Sequence, residues 1–244
     1  MVSVAAKYDL DFLKKEHVAK DTSSFFFQRP EKLDFLPGQF MRLILDLPLP
    51  TDRGSGRFFS IASSPTEKEY LMITVRTSPQ IYKKTLLNLM PGNKIQISLP
   101  YGVFTLKPEE PQPYIFLAGG IGITPFRSMI RYSADLNFKR PITLISSFST
   151  VEEIVFQAEM QTIAQNHTWL KLVQTITQPE KSNDPWRGNI GRIDENLIKK
   201  NVVDITSSVF YLAGPPAMVD SMFAIVKSLG VEENRIRREK FTGY

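Results

Sequence analysis

The chain has 244 residues, a net charge of +5, 42% hydrophobic and 23% charged side chains, the balance of a folded protein long enough for two small domains. It has no cysteine and two histidines, His17 and His167, so disulfides, iron–sulfur clusters, thiolate zinc sites and cysteine nucleophiles are excluded within these residues, and a multi-histidine metal centre has too few ligands. Residues 1–107 hold 15 basic and 10 acidic side chains, and residues 108–244 hold 15 of each, so the whole positive excess lies in the first half.

No apolar run approaches the ~18 residues of a membrane span. The opening stretch reaches Asp9 and Asp11 too soon for a signal peptide, and a cytoplasmic protein is expected. In the first half, FMRLILDL (40–47) follows the turn Pro37–Gly38, YLMITVR (70–76) alternates like a half-buried strand, and KIQISLP (94–100) follows Pro91–Gly92. Strands at this spacing predict an antiparallel barrel or sandwich, with KKTLLNLM (83–90) as its helix. PEEPQP (108–113) continues neither a ladder nor a helix and reads as a linker.

Beyond it, strands and helices alternate. Strands are expected at 114–120, 141–148, 169–177 and 208–214, and helices at 124–136, 151–165, 193–201 and 215–230. That order predicts a parallel sheet with helices on both faces. The fold class is therefore two-domain, an N-terminal antiparallel β-barrel over 1–107 and a C-terminal α/β parallel-sheet domain over 114–244.

Three segments carry chemistry. LAGGIGITPFRSMI (117–130) runs a buried strand into glycines and then a proline-led helix, where free amides and the helix dipole favour a pyrophosphate. A tight β–α turn without a ligand is the plainer alternative. YLAGPPAMVDSM (211–222) repeats the design near the chain end, with Met218 and Met222 at core spacing. GRFFSIASSP (56–65) brings a cation, a ring and a hydroxyl into one extended segment, with Arg57 and Phe59 on one face and Ser60 on the other. Both histidines read as surface residues, Trp169 as core and Trp186 as a loop residue.

Together with PGQF (37–40), PYGVF (100–104) and the tail EKFTGY (239–244), these segments resemble the ferredoxin–NADP reductase superfamily of flavin oxidoreductases over nearly the whole chain. The resemblance implies an NAD(P)H-dependent flavoprotein reductase with FAD preferred over FMN, NADH or NADPH as substrate, and a separate acceptor. It assigns Arg57 to a flavin phosphate, Phe59 to the ring or ribityl chain and Ser60 to the neighbourhood of flavin N5, with Thr74, Val75 and Arg76 on the next flavin strand. Gly120, Gly122, Thr124 and Pro125 would form the pyrophosphate loop, and Gly214, Pro215 and Met218 would lie beside the nicotinamide. Glu239 and Phe241 match an acid-x-aromatic tail, with Tyr244 as a second candidate to cover the ring; Ser60 and Glu239 are the implied catalytic pair.

Three positions depart from the family pattern. Phe59 replaces the usual tyrosine, Ala213 a frequent cysteine, and Gln80-Ile81-Tyr82-Lys83 a Gly-x-x-Ser/Thr phosphate segment, for which Lys83, Lys84 or Thr85 would substitute. Ser149, Thr150 and Gln178 lack the basic residue expected of a 2′-phosphate reader, which leans the chain toward NADH; Arg187 and Arg192 read as surface charges. The implied partners are the nicotinamide dinucleotide and an acidic electron-acceptor protein, with no nucleic acid and no membrane span. A second reading is a non-catalytic flavin- or nucleotide-binding subunit on the same fold, motivated by the 80–83 segment and Ala213.

Overall fold

The computed structural model describes residues 5–49, 52, 54–77, 79–107 and 109–242. The first half is a six-stranded antiparallel sheet made of β1 (Ala6–Ala19), β2 (Thr22–Gln28), β3 (Phe40–Ile44), β4 (Gly56–Ser60), β5 (Tyr70–Arg76) and β6 (Lys94–Tyr101). The strand order is β4-β3-β6-β1-β2-β5, and the two end strands approach each other as the sheet curls into a barrel. β1 and β2 were not among the expected strands. β1 is 14 residues long and changes partner midway, pairing Ala6–Asp11 with β6 and Phe12–Ala19 with β2, the second ladder interrupted by register shifts between Phe12 and Lys14 and between His17 and Ala19. Such a strand blurs the alternation that marks shorter ones. β2 reads TSSFFFQ, with every residue but the last buried, and so has no exposed face to alternate with.

Inside the barrel, Phe12, Phe25, Phe27, Met41, Leu43 and Ile97 form a closed apolar core. The short helix α1 (Ile81–Leu87) plugs it with Tyr82 and Leu86. The helix starts two residues earlier and stops sooner than the pattern over 83–90 suggests.

The second half is a six-stranded parallel sheet. Its elements are β7 (Tyr114–Gly119), α2 (Thr124–Asp135), β8 (Ile142–Phe148), α3 (Gln157–Asn166), β9 (Leu170–Ile176), β10 (Asn189–Ile190), α4 (Glu195–Asn201), β11 (Val209–Gly214), α5 (Pro216–Ser228) and β12 (Ile236–Lys240). The order β10-β9-β8-β7-β11-β12 makes the β7/β11 boundary the point where the winding reverses. β7 and β11 are buried at every residue, as strands covered on both faces must be. Their side chains still divide by parity. Tyr114, Phe116, Tyr211 and Ala213 face the core under α2 and α3, whereas Ile115, Leu117, Phe210 and Leu212 face α4 and α5.

The helix expected over 151–165 is broken. A single 3-10 turn covers Val151–Glu153, Ile154 and Val155 drop into the core, and Phe156 adopts the left-handed conformation (φ 61°) before α3 begins. Burying that apolar pair and turning the Phe156 ring toward the barrel, against Phe26 and Met72, outweighs helical continuity. Further contacts bind the halves: Phe104 and Leu106 pack into the core under α2, and the Tyr211 hydroxyl donates to the Thr105 carbonyl at 2.9 Å. Trp169 is buried, Met222 is core, and His17 is exposed. No helix among the described residues is long and apolar enough to cross a membrane, and no acidic or histidine group among them could hold a metal.

Candidate active site between the two sheets

A cavity of about 540 Å³ opens where β4, β5 and α1 of the barrel meet the β7–α2 turn and the chain after β12. Of the residues singled out in the sequence, Arg57, Phe59, Ser60, Thr74, Val75, Arg76, Lys83, Thr124, Glu239 and Phe241 all line it. β4 supplies both of its faces. On one, the Arg57 guanidinium lies 4.9 Å from the Tyr82 ring centre and donates to the carbonyls of Gly54 (2.8 Å) and Gly56 (2.9 Å), with Phe59 against the same Tyr82 ring. On the other, Phe58 is exposed and meets Phe40 and Tyr101 edge to face, so it is a rim residue and not core.

Tyr82, Phe40 and Tyr101 were not among the sequence candidates. Phe40 and Tyr101 lie inside PGQF and PYGVF, which marked turns, and Tyr82 sits within the departing 80–83 segment. Its phenol donates to the Leu43 carbonyl at 2.8 Å, and burial raises its pKa far above the ordinary tyrosine value. The hydroxyl is thus committed to the barrel core, and only the ring faces the cavity. Lys83 is buried and lines the cavity, whereas Thr85 stands apart and donates to the Ile81 carbonyl at 3.0 Å.

The parallel sheet contributes mainly backbone. Gly119 ends β7, and Gly120–Ile123 forms a 3-10 turn that runs into α2, with Pro125 in its first turn. Gly120 has φ +51°, and nothing lies within 4 Å of where its Cβ would be, so the backbone there faces open space. At Gly122 a Cβ would overlap the Ala213 carbonyl, which lets the turn press against β11. Met218 and Pro215 cover Gly119 from the other side, and Gly214 lies beside it. Thr124 donates to the Ile121 carbonyl at 3.0 Å. Gly120, Gly122, Pro125, Gly214, Pro215 and Met218 therefore gather at the C-terminal ends of β7 and β11, at the topological switch point where open α/β sheets bind ligands.

β12 pairs with β11 so that Glu239 lies opposite Ala213 and Lys240 opposite Gly214, and the Phe241 amide donates to the Gly214 carbonyl at 2.9 Å. This ladder carries the Glu239 carboxyl into the cavity. Its Oε2 is out of contact with solvent and has no hydrogen-bond partner, and burial pushes its pKa up to about 7. Tyr244 lies outside the described residues.

The site fits a flavin and a nicotinamide dinucleotide. Aromatic rings and three cationic residues line the barrel wall, an unpartnered carboxyl oxygen points in from β12, and an open glycine turn heads a 12-residue helix. The family comparisons agree. Residues 9–106 match the oxidoreductase FAD-binding domain and residues 116–223 the oxidoreductase NAD-binding domain. The chain belongs to the ferredoxin–NADP reductase-like superfamily of FAD- and NAD-binding oxidoreductases. It is 26% identical over 222 residues, 90% of its length, to the glycine betaine monooxygenase reductase subunit of Chromohalobacter salexigens, and spans 60% of that subunit. Its fold is similar to a cytochrome P450 reductase from Amycolatopsis (TM-score 0.85, 24% identity, 98% of this chain and 71% of that one). It is also similar to a ferredoxin–NADP+ reductase from Neisseria gonorrhoeae with FAD and NADP bound (TM-score 0.80, 20% identity, 96% and 98%).

Proposed function

We propose that this protein is an NAD(P)H-dependent flavoprotein reductase that passes electrons from a nicotinamide dinucleotide, through FAD, to a separate acceptor. The observation that carries this reading is the single cavity shared by the basic, aromatic wall of β4 and α1 and the glycine turn and Glu239 of the parallel sheet. In this reading residues 1–107 are the flavin unit, 108–113 the linker and 114–244 the nucleotide unit.

Bound FAD supplies the redox chemistry, taking an electron pair from the nicotinamide and releasing electrons singly or in pairs. Arg57 and Lys83 hold its phosphates by charge-assisted hydrogen bonds. Phe59 and the Tyr82 ring pack on its apolar surface, Ser60 offers a hydroxyl to the reacting edge, and Thr74, Val75 and Arg76 line the next strand. The turn Gly120–Pro125 presents amides to the dinucleotide pyrophosphate, and Gly214, Pro215 and Met218 position the nicotinamide. Glu239 holds a proton at its buried carboxyl up to near-neutral pH, and Phe241 screens the cavity from water and moves aside as the nucleotide enters.

NADH is the favoured donor. The turns after β8 and β9 carry Ser149, Thr150, Glu152 and Gln178, and the nearby cations Arg187 and Arg192 are exposed. The acceptor is read as an acidic protein because the +5 excess lies in residues 1–107; the oxygenase-linked name of the Chromohalobacter relative supports an oxygenase component. The reaction is assigned to the cytoplasm on the same reading.

The test is anaerobic titration of FAD-loaded protein with NADH and with NADPH. Bleaching of the yellow absorbance by either nucleotide, more readily by NADH, is expected. Protein that binds FAD yet stays oxidised with both would overturn the reading in favour of the non-catalytic subunit.

A further inference from the structure

Arg127, one helical turn beyond Thr124 on α2, is buried at the seam between the two halves. All five of its N–H donors are used. Nε and Nη2 reach the two carboxylate oxygens of Glu159 on α3 (2.9 and 2.8 Å), Nη1 and Nη2 reach both oxygens of Glu67 in the barrel half (2.6 and 3.0 Å), and Nη1 also donates to the Ala62 carbonyl (2.9 Å). Glu67 is itself fixed, accepting from the Ser64 amide (2.6 Å) and the Tyr70 hydroxyl (2.8 Å). The next residue on α2, Ser128, donates to the Ser63 carbonyl at 2.7 Å. The Arg127 guanidinium lies 5.7 Å from the ring centre of Phe156, the left-handed residue whose ring packs against Phe26 and Met72 of the barrel.

The geometry of these contacts joins the two sides of the cavity. Ala62 and Ser63 directly continue the segment that carries Ser60, and α2 is the helix headed by the glycine turn and Thr124. One planar fork therefore ties the flavin segment to the nucleotide helix, with two carboxylates from different halves in fixed orientation. Desolvating three charges is costly, and such an arrangement is repaid by specifying one geometry more than by adding stability. We propose that Arg127 is a positioning residue: its five-bond clamp locks the nucleotide helix to the flavin segment and so sets the distance across which electrons leave the nicotinamide. The locking stands on the contacts alone; its consequence for electron transfer rests on the reductase reading above.

A chain without native cysteines allows a direct test. Glu31→Cys and Lys200→Cys, both at exposed positions, place one spin label on each half of the flavin-free protein. The parent is expected to give one narrow label-to-label distance. Arg127→Gln should broaden or shift it, Arg127→Lys should not restore it because an ammonium lacks the fork, and the milder Glu67→Gln should act in the same direction. In FAD-loaded protein the limiting rate of flavin bleaching by saturating nucleotide should fall tenfold or more in the Arg127 variants, with FAD and nucleotide affinities within threefold of the parent. An unchanged distance distribution in folded variants, or a limiting rate within twofold of the parent, overturns the proposal. If the Arg127 variants fail to fold, Glu67→Gln decides it on the same two readouts. If the parent is bleached by neither nucleotide, the reductase reading fails, and the label distances still decide whether Arg127 locks the halves.

Discussion

The barrel and the parallel sheet approach the same cavity with different parts of the chain. The barrel uses side chains: Arg57, Phe59 and Ser60 project from one strand, and Lys83 and Tyr82 from one short helix. The parallel sheet uses backbone, with glycines at the ends of β7 and β11 that let a turn pack closely and, at Gly120, leave the backbone facing open space. The difference follows from strand geometry. An antiparallel barrel strand exposes alternate side chains along its length, whereas a parallel strand buried on both faces has only its C-terminal end to offer. A substitution in the barrel should therefore change affinity with little effect on folding, and one in the glycine turns should do the reverse wherever the glycine serves packing.

The largest effect expected from that contrast is at Gly122. A methyl there meets the Ala213 carbonyl, which belongs to a central strand and cannot give way as a side chain tip would. Gly122→Ala should cost about 3 kcal/mol or more, lowering the thermal midpoint by roughly 6–12 °C. Gly120→Ala has room and meets only the penalty of its positive φ, about 1–2 kcal/mol, so its main effect should be weaker nucleotide binding. Equal losses of stability at the two positions, measured by thermal unfolding of the flavin-free protein, would remove the distinction between a packing glycine and a ligand glycine.

On the barrel side, Arg57→Ala should weaken FAD binding roughly 10- to 100-fold, because charge-assisted hydrogen bonds are worth about 1.5–3 kcal/mol each. The melting midpoint of the flavin-free protein should move little, since Arg57 lies half-buried on the end strand β4, where it donates to the Gly54 and Gly56 carbonyls and stacks on Tyr82 outside the closed barrel core. Flavin fluorescence titration gives the first quantity and calorimetry the second. A large drop in stability without a drop in affinity would make Arg57 a structural residue.

Glu239 spans both descriptions, being a side chain delivered by the parallel sheet. Its folded pKa of about 7 lies above the ordinary carboxylate value of 4.5, so the folded state holds the extra proton between those limits. Stability of the flavin-free protein should fall as pH rises from about 4.5 through 7, by up to about 3 kcal/mol. Glu239→Gln should remove that fall and leave the variant more stable than the parent at pH 8. A parent and variant with parallel stability profiles would mean that the carboxyl finds a partner in solution.

How much of this was legible in the sequence follows the same contrast. Two edge strands of the second half were not expected, β10 being two residues long and β12 reading IRREK. In contrast, β7, β8, β9, β11 and most helices announce themselves, because those strands are apolar-rich, β7 and β11 end in glycine, and α2 and α5 open on proline. The exception is 151–165, where Phe156 turns left-handed to reach the barrel, a tertiary demand invisible to local periodicity. In the first half β1 and β2 escaped, one because it serves two partners and the other because almost all of it is buried. The RFFS and GGIGITP motifs located the cavity. Tyr82 and the Arg127 clamp did not show, because their placement depends on contacts between residues 32 to 65 positions apart.

The smallest expected effect concerns the phosphate end of the cavity, where the sequence left Lys83 and Thr85 as substitutes for the missing Gly-x-x-Ser/Thr segment. Two residues apart on a helix, they point about 200° from one another and cannot both face the same cavity. Lys83 is the one that lines it, and the Thr85 hydroxyl is already bonded to the Ile81 carbonyl one turn back, a contact that neither strengthens the helix nor leaves a donor for a ligand. Thr85→Ala should therefore leave FAD affinity unchanged and alter stability by no more than about 0.5 kcal/mol, while Lys83→Met lowers FAD affinity by roughly tenfold, the size of one charge-assisted hydrogen bond. The pair is informative because a helix turned by half a revolution would exchange the two results. If Thr85→Ala costs affinity and Lys83→Met does not, α1 docks in the barrel with its other face toward the flavin, and the side-chain wall assigned to the first half would have to be rebuilt around that face.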